Sequence, residues 1–220
     1  MPPVCPSCRN KLVGPIEFCS DCIAKLSFIS GIRCKCCGGI LDTVLGLCKK
    51  CLREDEYLWE NSISILVMNK FTSKLIQRYK YNNEIELASA FSGLVKNVLP
   101  VINPLPDFIV PIPIHRIKYL HRGFNQVSLV IKNAVRGYDI KYSNCLIRKK
   151  YTTSQTKLSA EERRNNLKNV FCIKDKANIK NKAILLCDDV FTTGSTLRAA
   201  SEVLLNAGAL KVNIMSIARK

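Results

Sequence analysis

Three absences set the first limits on this protein. The sequence has no apolar run that approaches the ~20 residues of a membrane helix, and runs such as Ala183–Leu186 are far shorter. The first residues, Met1–Cys5, show neither the charged nor the apolar region of a secretory signal. Acidic residues are few, with 17 Asp and Glu against 34 Lys and Arg among 220 residues. We therefore expect a cytoplasmic protein without a membrane span and with a strong positive charge.

The positive charge is concentrated in the later part of the chain. The formal net charge is +17, yet residues 1–56 hold 8 basic and 6 acidic side chains, so residues 57–220 carry nearly all of the excess. A basic field of this kind concentrates polyanions, such as nucleic acid or phosphorylated small molecules. Basicity that serves solubility alone is the alternative. The hydrophobic content of 47% is typical of a globular chain, and the length suits one ordinary domain with a small accessory module.

Cysteine is the residue that the sequence has in excess. Nine of the twelve cysteines lie within residues 1–51. Eight of them form four Cys-x2-Cys pairs, namely Cys5 with Cys8, Cys19 with Cys22, Cys34 with Cys37 and Cys48 with Cys51. The last two pairs follow the first two at an offset of 29 residues, and the same offset relates Leu12 to Leu41. The pattern predicts a tandem repeat of one small unit that supplies four thiolates.

Two kinds of cross-link fit these pairs. A Cys-x2-Cys turn points two thiolates at one ion, and two such turns complete a four-cysteine zinc site, which has no open position and is therefore structural. A disulfide framework is the alternative, but it requires an oxidising compartment. We predict two structural Zn²⁺ ions, each held by consecutive pairs, although a crossed pairing also fits the sequence. Residues 1–56 are then a tandem zinc ribbon, and residues 57–220 are the main domain.

The main domain alternates predicted strands and helices. Strands are predicted near residues 63–67, 106–113, 139–148, 169–174, 183–188 and 211–218, and helices from about residue 71 and over 84–98, 125–135 and 195–206. Gly208 suits the left-handed end of the last helix. The alternation predicts an α/β fold with a mostly parallel sheet, in which ligands bind beyond the carboxyl ends of the strands.

One predicted strand end carries a candidate phosphate site. Asp188 and Asp189 follow the strand, and a loop of small residues then leads into a helix: Thr192, Thr193, Gly194, Ser195 and Thr196. Backbone N–H groups, hydroxyls and the positive end of the helix dipole would together hold a phosphate. The two carboxylates would repel that phosphate, so we expect them to hold ribose hydroxyls or water around Mg²⁺. A helix merely capped by Thr and Ser leaves the paired Asp unexplained.

This segment resembles the phosphoribosyl pyrophosphate (PRPP) motif of type I phosphoribosyltransferases. Other stretches are similar to the ComF (ComFC) family: Val110–His115 with Arg122–Gln126, Lys80–Tyr81, Ser154–Ser159 with Arg163–Leu167, and the cysteine-rich head. The resemblance covers nearly the whole chain. It implies a double zinc ribbon joined to a phosphoribosyltransferase-like domain with helices on both faces of a parallel sheet. It also implies PRPP with Mg²⁺ as ligands and a role in natural transformation and the handling of imported single-stranded DNA.

The resemblance implies roles for further residues. Residues 111–126 resemble the loop that approaches pyrophosphate, with Arg122 and His115 as candidate PRPP-binding residues. Residues 151–168 resemble the mobile lid that closes over PRPP, where cations would shield the charge of the departing pyrophosphate. The candidate catalytic residues are Asp188, Asp189 and Arg164.

Two functions of different classes fit these features. One is Mg²⁺-dependent transfer of phosphoribose from PRPP to an acceptor that the sequence does not name. The other is a non-catalytic PRPP sensor or scaffold that binds single-stranded DNA and competence proteins, such as a helicase or other DNA-processing proteins. Eight basic residues between Lys141 and Lys168 favour the second function. Tyr142 and Tyr151 are the only aromatic residues there on which bases would stack.

Overall fold

The computed structural model describes residues 4–12, 17–41, 46–49, 51–53, 57–150, 169–174 and 179–220. Its helices and strands are α1 (Ser20–Ile23), β1 (Ser62–Val67), α2 (Lys70–Tyr81), α3 (Leu87–Val98), β2 (Phe108–Pro111), α4 (Arg116–Arg122), α5 (Gln126–Ala134), β3 (Lys141–Tyr142), β4 (Leu146–Arg148), β5 (Phe171–Ile173), β6 (Ala183–Phe191), α6 (Ser195–Asn206) and β7 (Lys211–Arg219). Within these residues, no helix combines the length and apolarity needed to cross a bilayer.

A five-stranded parallel sheet forms the centre of the molecule. Its strand order is β1-β7-β6-β2-β3, and β4 pairs with β5 in a separate antiparallel sheet. Helices cover both faces. Leu185 and Cys187 of β6 belong to the hydrophobic cluster with α2, α3 and α5, whereas Ile184 and Leu186 belong to the cluster with α6. The predicted fold class, an α/β protein with helices on both faces of a parallel sheet, is confirmed.

Each predicted strand differs somewhat from the structure in its bounds, and two of them differ by more than two residues at one end or in their continuity. The strand predicted over residues 139–148 is two strands, β3 and β4, because the backbone changes partner: the Ser143 N–H donates to the Ile109 carbonyl, and the Cys145 carbonyl accepts from the Lys174 N–H. The strand predicted over 183–188 continues to Phe191, which pairs with Arg219 of β7. The two aspartates therefore lie inside β6 rather than after it.

The two cysteine units have the same local backbone structure. The Cys5 N–H donates to the Asn10 carbonyl at 2.8 Å, and at an offset of 29 residues the Cys34 N–H donates to the Gly39 carbonyl at 2.8 Å. Isolated bridges follow the same offset, with Val4 opposite Lys11 and Arg33 opposite Ile40. The predicted tandem repeat is thus visible in the hydrogen bonds.

The segment between the two units covers one edge of the sheet. Phe28 lies opposite Leu66 of β1 as an antiparallel bridge. The Ile29 N–H donates to the Ile65 carbonyl, and the Val67 N–H donates to the Ser27 carbonyl. The first unit then packs into the cluster with α2 and α3, and the second packs into the cluster with α6. The boundary between residues 56 and 57 stays a prediction, and both hydrophobic clusters include residues from the two sides of it.

Candidate functional site

Asp189 is hydrogen-bonded through both of its carboxylate oxygens. It is buried, with 7% of its surface exposed. Its Oδ1 atom accepts from Lys80 Nζ at 2.8 Å, and its Oδ2 atom accepts from Gln126 Nε2 at 2.6 Å. Burial lowers the pKa of Lys80, but the adjacent Asp189 carboxylate outweighs burial and the pKa is raised. Lys80 is therefore a fixed positive charge, and Asp189 is held by α2 and α5.

Asp188 has a different environment. It is half-buried, and its Oδ1 atom accepts a hydrogen bond from the Asp189 N–H at 2.9 Å. Burial and the neighbouring Asp189 charge raise the pKa of Asp188 to about 7, against the lowering effect of Lys80. Lys80 and Gln126 already donate hydrogen bonds to the two carboxylate oxygens of Asp189. Asp188 is therefore the carboxylate of the pair that is suited to accept hydrogen bonds from sugar hydroxyls or from metal-bound water.

Several cations influence the electrostatics of the two aspartates. Burial lowers the pKa of Lys118, and the charges of Arg148, Arg122 and Lys80 lower it further. Burial lowers the pKa of Arg148, and the negative charge of Asp188 opposes this lowering. A group of cations around one carboxylate pair is an environment that favours a ligand with several negative charges, since the ligand relieves their mutual repulsion.

The loop after β6 is held tightly at its glycine. Gly194 has φ = 74°, a left-handed conformation, and it precedes the first residue of α6. A Cβ atom at Gly194 would lie 2.9 Å from Cζ of Phe191. The Thr193 and Ser195 hydroxyls are 2.8 Å apart, and Thr192 is exposed. The sequence-predicted phosphate loop thus lies directly between the acid pair and the amino end of a 12-residue helix.

The two residues predicted for pyrophosphate lie at opposite ends of α4, a helix in a segment that was expected to be a loop. His115 caps the beginning, and its Nδ1 atom accepts from the Ile117 N–H at 3.2 Å. Arg122 ends the helix and donates to Gln126 Oε1, while its guanidinium lies 5.4 Å from the centre of the Tyr81 ring. Gln126 therefore connects Arg122 to Asp189. Arg164 and the predicted lid, 151–168, lie outside the described residues.

Lys80 and Gln126 are the residues that sequence reasoning did not assign to the site. Lys80 is 109 residues away from Asp189 in the sequence. A signal was present, because Lys80 follows the buried residues Thr72 and Ile76 at intervals of four and so lies on the inner face of α2. The Tyr79 hydroxyl donates to the Gln126 carbonyl at 2.9 Å and fixes α2 against α5.

The eight predicted metal ligands form two separate clusters. Cys5, Cys8, Cys19 and Cys22 make one cluster, and Cys34, Cys37, Cys48 and Cys51 make the other. Within each cluster all four sulfur atoms lie within 4.8 Å of one another. The Cys8 to Cys19 and Cys37 to Cys48 sulfur distances are 3.5 and 3.8 Å, which are too long for a disulfide. They agree with the ~3.8 Å separation of sulfurs around tetrahedral zinc, so the clusters are consistent with two structural zinc sites formed by consecutive pairs.

Comparison with known proteins assigns two parts of the chain to known families. A phosphoribosyl transferase domain model matches residues 120–220, and a double zinc ribbon domain model matches residues 1–54. Competence protein F of Haemophilus influenzae is 31% identical and the match covers 98% of this chain and 96% of that protein. DNA utilization protein YhgH of Escherichia coli is 30% identical, with 100% and 98% covered. Among solved structures, the allosteric regulatory enzyme of purine biosynthesis is 20% identical, with a TM-score of 0.44 over 64% of this chain and 29% of that one.

Proposed function

Because the chain belongs to the ComF family of competence proteins, with a double zinc ribbon and a phosphoribosyltransferase domain, we propose that it binds PRPP with Mg²⁺ at the carboxyl end of β6. We further propose that it transfers the phosphoribosyl group to a nucleophile. The observation that carries this proposal is the position of Asp188 near the end of β6, shortly before the Thr192–Thr196 loop and within the electrostatic influence of Lys80 and Arg148.

Each part of PRPP has a partner in this arrangement. The 5′-phosphate is bound by the backbone N–H groups and hydroxyls of the loop. The ribose hydroxyls and the water shell of Mg²⁺ face Asp188. The diphosphate lies toward Arg122 and His115, where a guanidinium offers a bidentate contact. In the reaction, the bond from the anomeric carbon to the diphosphate oxygen breaks, a bond to the acceptor forms, and the acceptor loses a proton.

The first test measures PRPP binding directly. Calorimetry with PRPP and Mg²⁺ is expected to show one site, and Gly194→Val is expected to abolish it because the side chain would displace Phe191. Gly137→Val is the matched control, since Gly137 also has a positive φ, 89°, but a Cβ there meets no atom within 4 Å. An unchanged affinity in Gly194→Val would show that this loop is not the phosphate site.

The second test separates catalysis from binding alone. Pyrophosphate release from PRPP is measured across a panel of bases, amines and single-stranded DNA, for the parent and for Asp188→Asn and Asp189→Asn. Release with one acceptor class, lost in Asp188→Asn, supports a phosphoribosyltransferase. If PRPP binds and no acceptor yields pyrophosphate, the protein is a PRPP-dependent sensor or scaffold.

A second function, the handling of single-stranded DNA, is favoured by the relatives and by the surface charge. Two relatives carry the names competence protein and DNA utilization protein. Lys141, Lys149 and Lys150 are exposed. We propose that the protein binds single-stranded DNA, in association with a competence helicase or other DNA-processing proteins. The test is binding of an oligonucleotide that weakens as salt rises, with a slope of about −0.7 per phosphate contacted.

A further inference from the structure

A cleft of about 480 Å³ lies beyond the carboxyl ends of β2 and β3. Its walls are α4, α5 and the β4–β5 sheet. No residue of the 188–196 segment is among the described residues that line it, but Arg116 of the 111–126 segment and Arg148 are, so the cleft adjoins the diphosphate side of the proposed PRPP site without including its loop. Its volume lies within the range of small-molecule pockets, about 300–1,000 Å³, and is sufficient for a nucleotide.

The lining of the cleft is strongly cationic. Arg116 and Lys132 contribute from the two helices, Arg148 contributes from β4, and Lys174 directly follows β5. Arg116, Lys132 and Lys174 are exposed. None of the described residues that line the cleft carries a carboxylate. The electrostatic complement of this surface is a chain of negative charges rather than an acidic side chain alone.

Aromatic side chains lie among these cations. Tyr119 of α4 is 51% exposed, and Tyr142 lies 5.0 Å from the Lys132 ammonium, measured to the ring centre. Phe124 is half-buried and packs against Tyr79, with ring centres 5.5 Å apart. An exposed ring and a half-buried ring beside several cations form the kind of surface with which proteins bind single-stranded nucleic acid, because every base has a flat face to stack on a ring.

We infer that this cleft binds single-stranded nucleic acid, with backbone phosphates on Lys132, Lys174 and Arg116 and bases on Tyr119 and Tyr142. The inference rests on the proposed handling of DNA and gives that function a location. It places the strand in the cleft rather than on the zinc ribbons. A duplex binds less well, since its bases are paired and cannot reach the two rings.

The first experiment reverses the charge of the cleft. A fluorescein-labelled oligothymidylate of about 20 nucleotides, long enough for one site, is titrated with the full-length protein at several salt concentrations. Lys132→Glu with Lys174→Glu is expected to weaken binding at least tenfold and to reduce the salt slope by about 1.4, for two lost phosphate contacts. Lys96→Glu with Lys180→Glu is the control, because both lysines are exposed and neither lines the cleft.

The second experiment tests the rings. Tyr119→Ala and Tyr142→Ala are each expected to weaken binding about tenfold, the order of one lost stacking contact, without changing the salt slope. Tyr119→Phe keeps the ring and is expected to bind as the parent does. Zinc content and thermal stability are measured for every variant, so that a folding defect is recognised.

Three outcomes would overturn the inference. If the parent binds DNA and the two cleft variants bind as tightly as the control variant, the cleft is wrong and the handling of DNA stands. If a duplex binds as tightly as the single strand, the contact is electrostatic only and the rings have no role. If the parent does not bind single-stranded DNA at all, the proposed DNA function fails together with the cleft.

Discussion

The two cysteine units have one local structure and two different surroundings. Arg9 and Gly38 occupy equivalent positions, both left-handed, with φ of 66° and 65°. Arg9 is exposed, whereas a Cβ atom at Gly38 would lie 2.8 Å from the Ser64 nitrogen of β1. The same turn therefore accepts a strained arginine at the surface and requires glycine against the sheet. The repeat determines the positions of the metal ligands, whereas contact with the neighbouring sheet determines which other side chains fit in each unit.

Each unit is also held by its own arginine. Arg78 donates to the Ser7 and Pro6 carbonyls at 2.9 and 3.0 Å, inside the first Cys-x2-Cys turn. Arg219 donates to the Cys37 carbonyl and to the Cys37 sulfur, both at 3.1 Å. Arg78 is two residues before Lys80, the partner of Asp189, and Arg219 pairs with Phe191, beside the candidate phosphate loop. The first unit is thus connected to the acid pair through α2, and the second is connected to Phe191 through Arg219.

Loss of metal is the largest expected effect and the most direct test of this comparison. Metal analysis of the parent is expected to give two Zn²⁺ per chain, and Cys8→Ser and Cys37→Ser are each expected to give one. Structural zinc contributes about 10–16 kcal/mol in isolated zinc fingers, so both variants lose much thermal stability. Cys37→Ser is expected to lose PRPP binding as well, because the second unit packs beside the loop. Equal PRPP affinity in the two variants would contradict the comparison.

Truncation of the aromatic side chains that join each cysteine unit to the main domain is the next largest expected effect. Phe18 of the first unit packs on Phe91. Trp59 of the main domain donates from Nε1 to the Cys36 carbonyl of the second unit at 2.8 Å and packs on Phe191. Both ring pairs are edge to face with centres 6.5 Å apart. Phe18→Ala and Trp59→Ala are each expected to cost about 3–5 kcal/mol, as buried aromatic truncations do. Denaturant unfolding measures the loss. Only Trp59→Ala is expected to weaken PRPP binding, since Phe191 supports Gly194; an equal loss of PRPP affinity in Phe18→Ala would show that the two units are equivalent.

Substitutions at Arg9 and Gly38, the two equivalent left-handed positions, are expected to change the stability of the protein in opposite directions. Gly38→Ala is expected to destabilise the protein by about 2 kcal/mol, from left-handed strain of about 1–2 kcal/mol and the contact with Ser64. Arg9→Gly is expected to stabilise it by less than about 1 kcal/mol, because strain is relieved but the unfolded chain gains freedom. Chemical denaturation provides both values. Destabilisation of the same size in both variants would refute the role of β1 in selecting glycine.

The last expected effect is an acid sensitivity of the Arg78–Glu84 pair, which supports the first unit through Arg78. The hydrogen bond and charge of Arg78 hold the pKa of Glu84 below its ordinary value of 4.5, against burial. A lowered pKa means that the contact stabilises the protein above pH 4.5 and that this stabilisation is lost as the pH falls through the lowered value.

Glu84→Gln tests this sensitivity. At pH 7 it is expected to cost about 1 kcal/mol, in the range of partly exposed ion pairs, and the difference from the parent is expected to shrink below pH 4.5. Denaturant unfolding as a function of pH measures it, with the exposed Glu202→Gln as control. A difference that does not change with pH would show that the Glu84 charge has no part in holding the first unit.

Some structural elements were predictable from residues within or next to the element itself. The helix predicted over 195–206 has these bounds in the structure, because Gly194 and Gly208 mark its two ends. The cysteine clusters followed from spacing alone. By contrast, α4 was missed because none of its residues is buried, so it has no apolar periodicity; it is defined by the His115 cap and by Gly123 in the left-handed conformation.

The connections within the site could not be read from the sequence. Lys80, Gln126 and Asp189 meet only because α2, α5 and β6 pack together, and no local pattern encodes that contact. The resemblance to a family had marked Lys80 and Gln126 without giving their partners. The raised pKa of Asp188 likewise depends on burial and on neighbours far away in sequence.

The segment that joins the two cysteine units has a consequence for how the chain can be divided. Because residues 27–29 hydrogen-bond to β1, they close an edge that would otherwise offer free N–H and C=O groups to another chain. A fragment that begins at residue 57 would keep the whole parallel sheet but expose this edge. Such a fragment is expected to self-associate through β1. The cysteine-rich head therefore protects the edge of the parallel sheet from aggregation.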